Sequence, residues 1–280
     1  MIPPHLTPPV DWDDAFANMA HIPGSERFPD EWARDAAAFR QTARARRDLP
    51  YGPDPRHRFD LFLPEGKPKG LMVFIHGGYW LRTSKDDWSH LAAGGVAHGF
   101  AVCLPSYRLT PTARIAEITQ DVQKALVAAA QEVEGPIVIA GHSAGGHLAA
   151  RLACADIDLP PAVQSRIRHI LPISGVFDLR PLLRTAMNET LLLDPQEARD
   201  ESPLLRDPKV ACPLSIWVGA DERPEFVRQS RLLAEVWAGL DQPLSLTIEE
   251  GRHHFDILDG LVAPDGTLLQ RLLAPALTGS

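Results

Sequence analysis

The sequence predicts an α/β fold, a mostly parallel central sheet with helices on both faces, and three observations carry that prediction. Short, continuous apolar runs recur along the chain, as strands buried on both faces require. Between them lie stretches with apolar residues at helical spacing. No internal repeat and no Ser/Gly linker divides the chain into two domains. At 280 residues, 45% apolar and 23% charged, the chain buries enough surface to need no disulfide or metal staple.

A polar, proline-rich start leads into Asp30–Arg47, where Trp32, Ala36 and Phe39 fall on one side of a helix. Tyr51-Gly52-Pro53-Asp54-Pro55 is turn chemistry, so residues 1–57 read as an N-terminal arm ahead of a domain over 58–280. Phe59, Leu61 and Leu63 alternate with Asp60 and Phe62 in a strand ended by Pro64. Leu71–Ile75 is a strand buried on both faces. Asp86–His98 fits a helix that Gly94-Gly95 weakens, and Phe100–Leu104 is the next buried strand. Ala113–Val133 is a long helix, with Ile115, Ile118, Val122, Ala125, Leu126 and Ala129 at 3–4 spacing. Pro136–Ala140 is a strand and Ala144–Cys154 the helix after it. Ile170–Ile173, Leu214–Val218 and Leu244–Ile248 supply three more strands. Residues 176–209 break the rhythm: long, charged and proline-rich, they read as a small cap inserted over the top edge of the sheet.

Composition narrows the function. Lys plus Arg is 28 and Asp plus Glu is 36, a formal net charge of −8, which argues against nucleic acid as a partner. Cys103, Cys154 and Cys212 are three, widely spaced and without CxxC; they point to small core residues in a reducing compartment. No apolar run approaches the ~18 residues of a membrane span. Met1–Asp14 carries four prolines and acidic residues where a signal peptide has its apolar core, so the expectation is a cytoplasmic protein. Oligomeric state is left open, a homodimer included.

The chemistry concentrates in three places. Gly141-His142-Ser143-Ala144-Gly145 follows a buried strand and opens an alanine-rich helix, the strand–turn–helix setting of a nucleophile elbow. Such a turn demands small neighbours, and it exposes Ser143 at a helix N-terminus where backbone N–H groups already face developing negative charge. Read alone, the same residues are a Gly-rich turn without chemistry. His76-Gly77-Gly78-Tyr79-Trp80 directly follows the strand Leu71–Ile75. A Gly pair lets the main chain approach a substrate with no Cβ in the way, so Gly77, Gly78 and the N–H of Ala144 would form an oxyanion hole. The third place supplies what a serine needs, a base and an orienting carboxylate, in the order Ser, acid, His. Gly219-Ala220-Asp221-Glu222 follows the strand Leu214–Val218, and His253-His254 follows the last strand.

These motifs resemble the kynurenine formamidase (arylformamidase) family, in the hormone-sensitive-lipase-like branch of the α/β-hydrolases, from about Trp32 to Leu258. The specific parts are HGGYW at 76–80, Ser106-Tyr107-Arg108-Leu109, and Gly141 to Ala149. Pro224-Glu225-Phe226-Val227-Arg228-Gln229-Ser230 and His254-Phe255-Asp256-Ile257 complete them. The resemblance implies Ser143 as nucleophile and His254, immediately before Phe255, as base. It implies Glu222, two residues before Pro224, as the acid, where many members have Asp; a Gly-x-x-acid spacing from Gly219 selects the same residue. The implied reaction is hydrolysis of N-formyl-kynurenine to kynurenine and formate, with no metal or organic cofactor.

Lesser signals are weighed beside these. The 11 histidines form no HExxH or Cys-paired set, so no metal is expected; His142 and His147 flank the serine's helix, and His76 orients the HGG loop. Tyr79, Trp80, Trp88 and Tyr107 could stack on an aromatic substrate or simply pack. Arg40, Arg44, Arg46 and Arg47 read as a solvated helix face. The alternative functions are a broad short-acyl carboxylesterase on the same triad and a non-catalytic binding protein on a hydrolase scaffold.

Overall fold

A computed structural model of the chain describes residues 10–209 and 212–277. The proline-rich beginning of the expected arm, residues 1–9, lies outside them. Eight strands form one sheet in the order β1-β2-β4-β3-β5-β6-β7-β8. They are β1 (Ala45–Pro50), β2 (Arg58–Phe62), β3 (Leu71–Ile75), β4 (Ala101–Pro105), β5 (Ile137–His142), β6 (Ile167–Ile173), β7 (Leu214–Gly219) and β8 (Leu244–Glu249). β2 runs antiparallel to both its neighbours, and β3 through β8 are parallel. The architecture is the mostly parallel sheet with helices on both faces that the sequence predicts.

The described residues open with α1 (Trp12–Ala15) and α2 (Phe28–Thr42), and α3 (Ala92–Ala97) precedes β4. After β4 come α4 (Ile115–Glu132), then α5 (Ala144–Leu152) and α6 (Pro161–Gln164). Two short helices, α7 (Asn188–Leu191) and α8 (Pro195–Asp200), lie between β6 and β7. α9 (Pro224–Ala238) precedes β8, and α10 (Asp259–Val262) and α11 (Thr267–Leu277) end the described chain. Along β3 the pleat sends Leu71, Val73 and Ile75 into a core shared with α4, α5 and α9. Met72 and Phe74 enter a second core with α3, α10 and α11, which Trp32 and Phe39 of α2 border. The unbroken apolar runs of the sequence are thus strands covered on both faces. Among the described residues, no helix is long and apolar enough to cross a membrane.

Three expectations change. The helix expected over Asp30–Arg47 stops at Thr42, and Ala45–Pro50 becomes the edge strand β1. Continuing the Trp32, Ala36 and Phe39 spacing would turn Arg46 and Arg47 onto the apolar face, whereas backbone pairing with β2 is available. The end of the arm therefore belongs to the sheet. The arginines are correspondingly not one solvated helix face: Arg40 donates to Ser89 Oγ at 2.8 Å, Arg46 to Glu132 at 2.6 Å and Arg47 to the buried Asp60 at 3.3 Å. Asp86–His98 is likewise not one helix. Two 3-10 turns, Lys85–Asp87 and Ser89–Leu91, come first, because Ser84 and Asp87 form a capping box that starts a tight turn.

The 176–209 stretch, expected as a cap, packs beside α4, α5 and α9. Glu197 accepts from Arg114 Nε at 2.7 Å, and Glu201 accepts from Thr119 at 2.6 Å and Arg151 at 3.2 Å. Phe177, Leu179, Leu182, Leu191 and Ala198 are buried in the core on that side.

Candidate active site

Ser143 stands between the end of β5 and the start of α5 with φ 56° and ψ −118°, a conformation that few L-residues adopt. The turn is tight enough to dictate its neighbours. A Cβ on Gly141 would lie 2.1 Å from Gly145 O, and one on Gly145 2.0 Å from Ile75 O. The loop after β3 runs alongside: a Cβ on Gly77 would sit 2.9 Å from His142 O and 3.1 Å from Ser143 Cβ. Gly78 has φ 111° and no room for a side chain, since its Cβ would be 2.4 Å from Arg82 O. Among the described residues, no backbone acceptor takes the N–H of Gly77 or Gly78.

His76 holds this loop. Its Nδ1–H donates to Gly77 O at 2.8 Å, Thr83 Oγ1 donates to the same carbonyl at 2.8 Å, and its ring stacks on Tyr107 at 4.2 Å. Tyr107 in turn donates its hydroxyl to His76 O at 2.8 Å. Burial holds the His76 imidazole down to about 3, so it is neutral at ordinary pH.

Glu222 lies three residues beyond β7, and its carboxylate is fully enclosed. Its Oε2 accepts from His254 Nδ1–H at 2.6 Å. Its Oε1 accepts from Ser174 Oγ–H at 2.5 Å and from Gly219 N–H at 2.8 Å. The neighbouring Asp221 is exposed. With Nδ1 carrying the proton given to Glu222, the Nε2 of His254 is left as a free lone pair. His253 is held elsewhere: its Nδ1 accepts from Phe255 N–H at 3.1 Å, and its ring packs edge-on against Phe28. His142 joins the two halves of the site by donating Nε2–H to His254 O at 2.8 Å. Burial, then the nearness of His254, keeps His142 well below the usual histidine range.

Ser143, His142, His254, Gly77 and Gly78 line one cavity of about 790 Å³. Its wall is aromatic, with Phe16, Trp32, Tyr79, Trp88 and Phe255. The arm roofs it. Tyr79 donates its hydroxyl to Phe16 O at 2.5 Å and accepts from Asn18 Nδ2 at 3.0 Å. Ala186 N–H reaches Asp13 Oδ1 at 2.7 Å, and Arg223 grips Asp14 from the opposite side. From the expected cap only Met187 contributes to the lining.

Tyr79 and Trp88 thus border the cavity, while Trp80 and Tyr107 do not. Trp80, a substrate-contact candidate in the sequence, is fully buried with its ring edge toward His147, 5.0 Å away. The chain reverses at Tyr79 and Trp80, both with positive φ, and the second ring turns into the core. Sequence reasoning missed Ser174, whose position after β6 carries no motif, and it missed Phe16, Asn18 and Trp32. The available signal was an arm rich in aromatic residues, which a purely solvated extension has no reason to carry. Among the described residues, no group of three His, Cys, Asp or Glu is placed to hold a metal ion.

The chain is similar to several known proteins. The family model BD-FAE matches residues 59–217. A kynurenine formamidase of Danio rerio is 29% identical over 81% of this chain and 80% of its own. An esterase of Mycobacterium tuberculosis is 28% identical over 77% of this chain and 61% of its own. A crystal structure from Silicibacter sp., described as a candidate thioesterase, is 47% identical with a TM-score of 0.88, over 94% of this chain and 99% of that one.

Proposed function

The chain belongs to the BD-FAE family, and from that premise we propose that it is a serine hydrolase cleaving aryl formamides, N-formyl-kynurenine in the first place. The observation that carries the proposal is that Ser143 and His254 line one aromatic-walled cavity, with Glu222 bonded to His254 behind them. HGGYW, PEFVRQS and the similarity to kynurenine formamidases support the same substrate class.

In this reading Ser143 Oγ attacks the formyl carbon while His254 Nε2 takes its proton. The oxyanion is held by the N–H groups of Gly77, Gly78 and Ala144, each worth roughly 10²–10³ in rate. The C–N bond breaks as His254 returns the proton to the aniline nitrogen, releasing the arylamine. Water then attacks the formyl-enzyme, giving its proton to His254, and formate leaves as Ser143 is re-protonated. Glu222 keeps Nδ1 protonated throughout. The aromatic rings supply a stacking surface for an aryl leaving group.

A short-acyl carboxylesterase is the second reading, favoured by the similarity to the mycobacterial esterase. The test is kcat/KM for N-formyl-kynurenine, p-nitrophenyl acetate and an acetyl thioester, with wild type and Ser143→Ala. The formamide should win by orders of magnitude, and Ser143→Ala should lose at least ~10⁴-fold on every substrate. Turnover of the ester alone would keep the nucleophile and discard the formamide.

A further inference from the structure

We infer that Arg82 reads a carboxylate on the substrate, so that the preferred aryl formamide is one that bears a carboxylate. This rests on the formamidase reading for the aryl amide and on Arg82 alone for the charge.

Arg82 lies four residues beyond Gly78 and donates its backbone N–H to Gly78 O at 3.1 Å, which fixes it to the loop beside Ser143. Its guanidinium stands 5.9 Å from the centroid of the Tyr79 ring, against the aromatic wall, and the residue lines the cavity while remaining exposed. Two carboxylates share the lining, Asp13 and Asp87. Asp13 accepts from Ala186 N–H at 2.7 Å, and Asp87 Oδ2 accepts from Ser84 N–H at 2.8 Å. Neither pairs with Arg82, and among the described residues the guanidinium has no carboxylate partner and no side-chain hydrogen bond. Its five N–H donors are therefore open toward the cavity mouth. A planar fork of donors on an aromatic ring is the arrangement that takes a carboxylate in two parallel bonds. Of the other ionisable groups of the lining, His142 bonds to His254 O, His254 to Glu222, and the Tyr79 hydroxyl to Phe16 O and Asn18.

The test uses binding, so it does not depend on formamide turnover. Competitive inhibition of p-nitrophenyl acetate hydrolysis is measured with 4-(2-aminophenyl)-4-oxobutanoate and with its neutral primary amide. Wild type should bind the acid about five- to tenfold more tightly than the amide, with the preference shrinking as salt is raised. Arg82→Gln should erase the preference, Arg82→Lys should keep part of it, and Arg82→Glu should invert it. No preference in wild type, a preference that survives Arg82→Gln, or equal weakening of both inhibitors would each overturn the inference. A wild type that prefers the acid through Arg82 but cleaves no formamide leaves Arg82 standing and removes the formamide reading. Formamide turnover without that preference does the reverse.

Discussion

Each oxygen of Glu222 has a separate task. Oε2 holds the imidazole of His254, and Oε1 is anchored by a hydroxyl and a backbone N–H, so the carboxylate is fixed against rotating away from His254. Glu222→Gln should therefore lower kcat by about 10³–10⁴-fold, since an amide can force the wrong histidine tautomer. Asp221→Asn, at an exposed position, should stay within a few-fold of wild type. Equal losses from the two variants would show that the carboxylates share the role. At this scale the sequence was informative about spacing and silent about contacts. Chain order and the three-residue step from Gly219 pointed to Glu222, while Ser174 gave no sign because a serine after a strand is ordinary. Trp80 misled for the same reason: the sequence shows an aromatic beside a glycine pair but not which way a positive-φ residue turns it.

Helix α5 carries the serine at one end and, one turn on, His147, whose Nε2–H donates to Glu201 O at 2.6 Å in the segment between β6 and β7. Burial holds this imidazole down to about 3. The unfolded chain, with an ordinary value near 6.5, takes up the proton first as pH falls. His147 thus contributes stability in full above about 6.5, and that contribution drains away as pH drops toward about 3. His147→Gln keeps a donor for Glu201 but has no proton to gain. Its urea midpoint should fall less steeply than that of wild type between these limits, and parallel curves would remove His147 from the account. Elements with one dominant signal were legible: β3, β5 and β7 as apolar runs, α4 as a periodic face. The junction of α2 and β1 was not, because Arg44–Arg47 lacks any periodicity and only an unpaired sheet edge decides its fate.

Across the whole molecule, the loops bearing Gly77, Ser143, Ser174, Glu222 and His254 leave the carboxyl ends of β3, β5, β6, β7 and β8. Helix and strand alternation was enough to predict that arrangement, since a parallel sheet gathers its outgoing loops on one edge. The roof escaped prediction because it is built by contacts distant in sequence, such as Tyr79 to Phe16 and Arg223 to Asp14. A chain beginning at Phe28 retains every group of the floor but loses Phe16 and Asn18 from the wall. It should keep hydrolysis of p-nitrophenyl acetate within about tenfold while the KM for an aryl formamide rises by more than that. A proportional loss on both substrates would mean that the arm serves the fold and not the choice of substrate.

The bond from His142 to the carbonyl of His254 ties the residue before Ser143 to the peptide of His254 itself. Thermal displacement of either loop must drag the other along, so the separation of the reacting atoms is buffered against motion above them. The aromatic roof hangs instead from Tyr79, through its bonds to Phe16 and Asn18, and has no share in that tie.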